Sequence, residues 1–360
     1  MAPRAINLKS LASMMLICIL TILWGQAGAM AGALEDVQAG IKAAKAGKAQ
    51  EAVALYTRAI ESGETEPKVL GGAYFNRASV RMGLGQWSQA LPDLDQAIKI
   101  LPQLSAAWAF RGLAYQELGD CKKALTDLTR AIEMKFKAPG VYNWRGECLA
   151  GIGQIEAAVA DFTKALEMNP KFGQALYNRG SAYLLLKRFP QAEADLRRAL
   201  AGEPGSEHGW YNLGMALYRQ NKRQEAVDVF GKVLELNPKA TDALEMRGTL
   251  LMRLGRLDQA LADFNKALAL KPNDPEAYYN RSVLWVQAKK PRTALVDLNQ
   301  ALHLNPRYAQ ALFNRAGVHE ELGDYAAAQA DMERFLTVMP DSPRGKARLE
   351  QIKVLRSGKQ

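Results

Sequence analysis

Apolar positions along this chain recur with helical spacing, and the same spacing returns again and again along its length. Residues 241–274 show the unit. Leu244, Gly248 and Leu251 fall at i, i+4 and i+7, and so do Ala260, Phe264 and Ala267, which places each trio on one face of a helix. Gly255 stands between the two runs, where a residue in the left-handed conformation ends a helix. Pro272 stops the second run, because it lacks an N–H and blocks the helical conformation of the residue before it. The unit reads as helix, tight turn, helix, stop.

Small residues alternate with large ones for a packing reason. Gly248 and Ala260 carry almost no side chain, so two helices approach closely there, with Leu244 and Phe264 filling the space on either side. One such pair leaves an apolar face uncovered, which only a copy of itself can bury. The copies are present. The place of Ala260 is Ala at 52, 90, 124, 158, 192, 226, 294 and 328, with an interval of 34 from Ala90 onward. The place of Gly248 recurs as Ala78, Gly112, Gly146, Gly180, Gly214, Ser282 and Ala316, and the closing proline as Pro102, Pro170, Pro204, Pro238, Pro306 and Pro340.

Period and pattern resemble the tetratricopeptide repeat family, and Trp108-x3-Gly112-x2-Tyr115 with Ala124 and Ala131 matches its motif closely. The resemblance covers residues 33 to 342. It implies an all-α, right-handed superhelix of about nine helix-turn-helix repeats, a solenoid, closed by a C-terminal helix. A degenerate first repeat over residues 33–66 reads as a cap, since Asp36 and Ala43 stand where other repeats have large residues. Four extra residues, 67–70, precede eight units of constant length over residues 71–342. The third repeat lacks its proline and has Phe136 there, so an irregular junction is expected over residues 135–140. In the segment 343–360, Ala347, Ile352 and Leu355 give a helical stripe that would cover the last repeat, opposite a side carrying Arg344, Lys346, Arg348, Lys353 and Arg356.

Residues 1–29 stand outside this array. Arg4 and Lys9 precede an uncharged apolar run over residues 11–24, and Ala27-Gly28-Ala29 offers small residues at a cleavage site, the layout of a secretory signal. Residues 11–29 are also long enough to span a bilayer as an uncleaved anchor. Either way the repeats are expected outside the cytoplasm, in a bacterial periplasm. Removal of the segment takes Arg4 and Lys9 with no acid, lowering the formal charge from +10 to +8. That moderate balance suits acidic partners or a membrane surface. Nucleic acid is not expected, since no dense Lys/Arg cluster with interleaved aromatics occurs. Cys121 and Cys148 lie at different places in consecutive repeats, and read as two separate structural cysteines.

Catalytic and metal chemistry find no support. His208, His303 and His319 occupy three unrelated repeat places without companions at ligand spacing, and no nucleophile elbow, phosphate loop or zinc-protease motif appears. No enzyme activity and no cofactor are expected. One charge pattern does stand out. Arginine precedes the small residue at 77, 111, 145, 179, 247, 281 and 315, and aspartate follows sixteen residues later at 93, 127, 161, 195, 263, 297 and 331. Repeat 6 has Leu213 and Val229 at these places and repeat 1 has Ala39 and Leu55, so both partners are present together or absent together. An ion pair, within a repeat or across a junction, is expected.

A second column points to function. Asparagine precedes the arginine place at Asn76, Asn178, Asn212, Asn280 and Asn314, and an aromatic precedes each: Phe75, Tyr177, Tyr211, Tyr279 and Phe313. An amide both donates to and accepts from a peptide backbone. The family resemblance implies that this helix lines a concave groove and that such asparagines hold an extended peptide. Phe110, Trp144 and Met246 interrupt the column. The resemblance also implies a carboxylate clamp from Asn178 and Asn212 with Arg219 and Arg253, although the accompanying lysine pattern is not clear. The expected function is a protein- or peptide-binding scaffold or adaptor of the cell envelope. The alternative is a structural subunit using its convex face and basic C-terminal helix.

Overall fold

The computed structural model describes residues 31–63 and 66–358. The expected signal or anchor over residues 1–29 lies outside the described residues. Nineteen helices and no strand are found among the described residues, in two compact units, one ending at Gly202 and the other beginning at Glu203. The N-terminal unit holds five helix pairs: α1 (Ala31–Lys45) with α2 (Ala49–Glu61), α3 (Pro67–Gly83) with α4 (Trp87–Ile100), α5 (Ser105–Glu117) with α6 (Cys121–Glu133), α7 (Pro139–Gly151) with α8 (Ile155–Met168), and α9 (Gly173–Leu185) with α10 (Phe189–Gly202). The C-terminal unit holds four: α11 (Glu207–Arg219) with α12 (Arg223–Leu236), α13 (Thr241–Arg253) with α14 (Leu257–Leu270), α15 (Pro275–Gln287) with α16 (Pro291–Leu304), and α17 (Ala309–Glu321) with α18 (Tyr325–Val338). A last helix, α19 (Pro343–Ser357), follows.

Inside each unit a helix packs on its partner, and each second helix packs on the next first helix. Consecutive first helices also touch, α1 with α3, α3 with α5, α5 with α7 and α7 with α9 in the N-terminal unit, and α13 with α15 in the C-terminal unit. The four extra residues, 67–70, form the opening turn of α3, which the Glu66 carboxylate caps by accepting from the Val69 N–H at 2.9 Å.

The turn inside each pair is set by one left-handed residue. Gly255 has φ +77°, and Gly85, Gly119, Gly153 and Gly323 at the same place are also positive. Lys187, Asn221 and Lys289 hold that place in three other repeats, at φ 58°, 62° and 55°. The third repeat's irregular junction is found as expected: α6 ends a residue early, and Lys135 turns the chain with φ 59° before Pro139 opens α7.

Close approach explains the small column. A Cβ on Gly248 would lie 2.9 Å from the Phe264 ring, and one on Gly146 2.6 Å from Phe162. Gly40 and Gly214 face Tyr56 and Phe230 in the same way, so each aromatic ring at this crossing meets a glycine. Ala78, Ser282 and Ala316 stand at the same place in repeats whose opposing residues are Leu94, Leu298 and Met332.

All seven expected ion pairs form within their own repeats. In each, the arginine Nε and Nη2 grip both aspartate oxygens, with Nε–Oδ2 distances of 2.7–3.0 Å and Nη2–Oδ1 distances of 2.5–2.9 Å. Every one of these aspartates is buried. Nη1 reaches back to the second helix of the preceding repeat. It donates to Thr57, Asp95, Thr129, Thr163, Asn265 or Asn299 at 2.7–3.3 Å. Arg247 is the exception, because Gly231 holds the acceptor place. In repeat 6 Leu213 and Val229 are both buried, an apolar pair in place of the ionic one. Repeat 1 joins its helices the opposite way round, with Arg58 on α2 donating to Asp36 on α1.

The last helix covers repeat 9 with a stripe that keeps Ile352 of the one read in the sequence and replaces its other two members. Gly345, Leu349 and Ile352 are buried, whereas Ala347 and Leu355 are exposed. Gly345 decides the register, because a Cβ there would lie 2.5 Å from Phe335, so the helix can seat tightly only on this side. Its basic side is partly engaged within the fold: Arg348 Nε donates to Glu320 at 2.7 Å, Lys353 pairs with Glu350, and Arg356 donates to Gln329.

Two stability changes follow. Asp195→Ala leaves a guanidinium without its partner and is expected to cost about 3 kcal/mol, while Arg179→Leu with Asp195→Val, the pairing found in repeat 6, should stay within about 1 kcal/mol of the parent. Denaturant midpoints measure both, and equal losses would refute the pairing argument. Lys289→Gly relieves a left-handed lysine and should raise stability by about 1 kcal/mol in the same assay.

Candidate functional site

The first helices carry the side chains that repeat packing does not consume, and their chemistry differs between the two units. In the N-terminal unit, α5, α7 and α9 are joined by a side-chain amide network around Glu147. Its carboxylate accepts from Gln116 Nε2, from Asn143 Nδ2 at 3.2 Å, from Asn178 Nδ2 at 2.5 Å and from Gln174 Nε2 at 3.4 Å. Asn178 also donates to Asn143 Oδ1 at 3.0 Å and accepts from Gln174 at 3.1 Å. Through this one side chain the hydrogen bonds tie three helices together. Gln116 Oε1 is buried and has no hydrogen-bond partner.

In the C-terminal unit the corresponding face is acidic and tyrosine-rich. Asn280 Nδ2 donates to Glu245 Oε2 at 3.3 Å, and Asn314 Nδ2 donates to Tyr279 Oη at 3.2 Å. Both bonds run from the asparagine column to the aromatic column of the repeat before, where Glu245 stands in place of an aromatic. The Tyr279 and Tyr308 rings lie 5.1 Å apart. Burial pushes the Glu245 carboxyl up to about 7, and the charges of Asp274, Glu276 and Asp242 push the same way against Lys271. Burial raises the Tyr211 and Tyr308 hydroxyls as well, with Asp242 and Glu245 acting on the first and Glu276, Tyr279, Asp274 and Glu245 on the second. Lys271 pairs with Asp242 at 3.4 Å at the edge of this face.

The expected ladder is therefore not one uniform row. Phe75 and Asn76 are buried, and the Phe75 ring packs edge-on against Phe110 at 5.4 Å. Asn178 is buried in the amide network, and Tyr177 is half-buried beside Leu176 and Ala165. Tyr211, Asn212, Tyr279, Asn280, Phe313 and Asn314 are half-buried in the C-terminal unit. The Phe313 ring is covered by the last helix, with the Arg344 and Arg348 guanidinium carbons 4.7 and 4.4 Å from its centre. Of the residues read as a carboxylate clamp, Arg219 and Arg253 both lie over the Tyr218 ring, and Asn178 belongs to the other unit. The cysteines are free thiols, as read, and Cys121 packs against the buried cluster that contains Cys148. Among the described residues no group of three or more His, Cys, Asp or Glu side chains is placed to hold a metal ion.

A sequence profile described as tetratricopeptide repeat matches residues 75–133, 149–207, 211–275 and 276–343, more than half of the chain. The chain belongs to the tetratricopeptide repeat family. No curated protein sequence matches it. Among solved structures it is similar to a tetratricopeptide repeat protein from Parabacteroides merdae, at 21% identity over 69% of this chain and 98% of that one, with a TM-score of 0.50. It is also similar to YrrB, described as a tetratricopeptide repeat protein with an unusual peptide-binding site, at 27% identity over 51% of this chain and 95% of that one (TM-score 0.48). A third, pilF of Pseudomonas aeruginosa, shares 20% identity over 60% of this chain and 98% of its own (TM-score 0.49). The Parabacteroides likeness bears on the fold alone. As a tetratricopeptide repeat protein, the chain is of a kind suited to protein–protein interaction.

Sequence reasoning missed Glu147, Gln116, Gln174, Asn143 and Glu245. A signal for two of them was present: Asn143 and Glu245 break the aromatic column, and a polar residue at a place otherwise filled by rings is the mark of a local polar network.

Glu245 predicts a pH effect. Its carboxyl keeps its proton in the folded chain up to about 7, against 4.5 ordinarily, so its contribution is fully present below about pH 4.5 and is lost as pH rises through 7. Glu245→Gln should therefore gain stability relative to the parent between about pH 5 and pH 8, read as a difference in denaturant midpoint. A constant difference across that range would show that Glu245 is not held protonated.

Proposed function

We propose that this tetratricopeptide repeat chain is a scaffold that holds an extended partner segment, rich in lysine or arginine, against the first-helix face of its C-terminal unit. The observation that carries this reading is Glu245, a half-buried carboxylate bonded to Asn280 beside Asp242, Asp274 and Glu276, in a face that also presents Tyr279 and Tyr308. Asp242, Asp274 and Glu276 attract a cationic side chain, whose arrival beside Glu245 favours loss of the Glu245 proton, and tyrosine rings give it cation–π contact and apolar area at low entropic cost. Asn280 and Asn314 add amides able to meet a peptide backbone. In the N-terminal unit the amides near Asn178 already satisfy one another, which favours the C-terminal unit as the binding face.

The envelope setting is part of the same proposal and rests on the N-terminal sequence, with its basic start, apolar run and small-residue triplet. The alternative role for the basic last helix is weakened by the partners that Arg348, Lys353 and Arg356 find within the fold.

Titrating fluorescein-labelled basic, neutral and acidic extended peptides into the purified chain tests the reading. The basic peptide is expected to bind more tightly than the neutral one, more weakly as salt rises, and about tenfold more weakly to Glu245→Gln. Equal binding of all three peptides, or no loss in the variant, would overturn it.

A further inference from the structure

Cys121 and Cys148 meet in one packed cluster, at a crossing whose counterparts in neighbouring repeat junctions bring the same two places together. The residue opening the second helix of one repeat packs against a residue on the latter part of the first helix of the next. In the N-terminal unit, Trp87 and Ala114 share one cluster at the junction before this one, and Ile155 and Ala182 share another at the junction after it. There the two places hold a large apolar residue and an alanine. Between α6 and α7 the two places are both cysteine, and they belong to one cluster with Ala124, Leu128 and Val141. Cys148 is wholly buried and Cys121 half-buried, and both are free thiols.

We propose that Cys121 and Cys148 are a dithiol pair that closes to a disulfide, locking the second helix of repeat 3 to the first helix of repeat 4 when the chain meets a small-molecule disulfide. Burial dictates the order of events. Cys121, the reachable thiol, loses its proton to solvent and attacks one sulfur of the oxidant. One thiolate leaves, and a mixed disulfide remains on Cys121. Cys148 then loses its proton and attacks the Cys121 sulfur, releasing the second thiolate. The two released thiolates take up the two protons, so the pair is oxidised by two electrons and the small disulfide is reduced to two thiols. Burial pushes the Cys148 thiol well above its usual range, which makes the closing step the slow one and speeds it as pH rises. The bridge would close the loop running from Cys121 to Cys148 across a junction between repeats, the contact on which a stacked array depends.

The purified full-length chain is incubated with glutathione disulfide under native conditions, alkylated, digested and read by mass spectrometry beside its melting curve. The expected result is a peptide pair linked through Cys121 and Cys148, no alkylated Cys148, and a melting midpoint raised by about 5 °C, reversed by a thiol reductant. Cys148→Ala, which installs the residue found at this place in the neighbouring repeats, should stop at glutathione on Cys121 with no rise in midpoint. Glutathione carried separately on both cysteines, or Cys148 still open to alkylation after Cys121 has reacted, would overturn the proposal. So would a linked pair that forms only after denaturation.

Discussion

One guanidinium holds three helices. Two of its donors fork onto the buried aspartate of the partner helix, and the third crosses to the repeat before. Repeat closure and repeat stacking therefore share a side chain, and neither aspartate nor arginine can be lost alone without stranding a charge in a place with little water. The rule that both are present or both absent follows from that constraint. Leu213 with Val229 shows the other stable solution, in which both charges are gone and the space is filled. Around this pair the rest of the repeat is arranged. Aromatics at Tyr74, Trp108 and Tyr278 sit beneath the arginines one turn away.

The parts of this fold that were legible in the sequence are those dictated by one repeated neighbour. Gly248 meets Phe264 as Gly146 meets Phe162, so the same demand returns from one repeat to the next. The ion pair was legible because both members sit in one repeat at constant separation. The third arm of the arginine was not, since its acceptor is threonine, aspartate or asparagine from one junction to the next. The cluster that Cys121 and Cys148 share was hidden for a related reason: its two places lie on different helices and carry unlike residues elsewhere. In the last helix two stripes fitted the periodicity. Only the close seat of Gly345 on Phe335 separates them, and that depends on the partner surface.

The candidate site was half legible. The asparagine and aromatic columns are real, and two of the asparagines bond back to the preceding repeat's aromatic column in the C-terminal unit. What the columns cannot report is depth. Phe75 is buried because Phe110, one of the interruptions, fills the neighbouring place with a ring. Asn178 is buried because Asn143 and Glu147 offer it polar partners. The same helical face thus becomes a closed amide lattice in one unit and an acidic, tyrosine-lined surface in the other. Substitution at a few column places is enough to change what the face offers, while the packing beneath stays constant.

Gly231 leaves Arg247 with its own aspartate but no acceptor on α12. In a linear array, cooperativity is the sum of nearest-neighbour couplings, so a bond missing at one junction loosens that junction and leaves the others as they were. The junction between α12 and α13 lacks a polar tether that six other junctions have. Amide protons on its two sides would therefore exchange as separate populations under mild denaturant, making one repeat pair an independent reporter of the next.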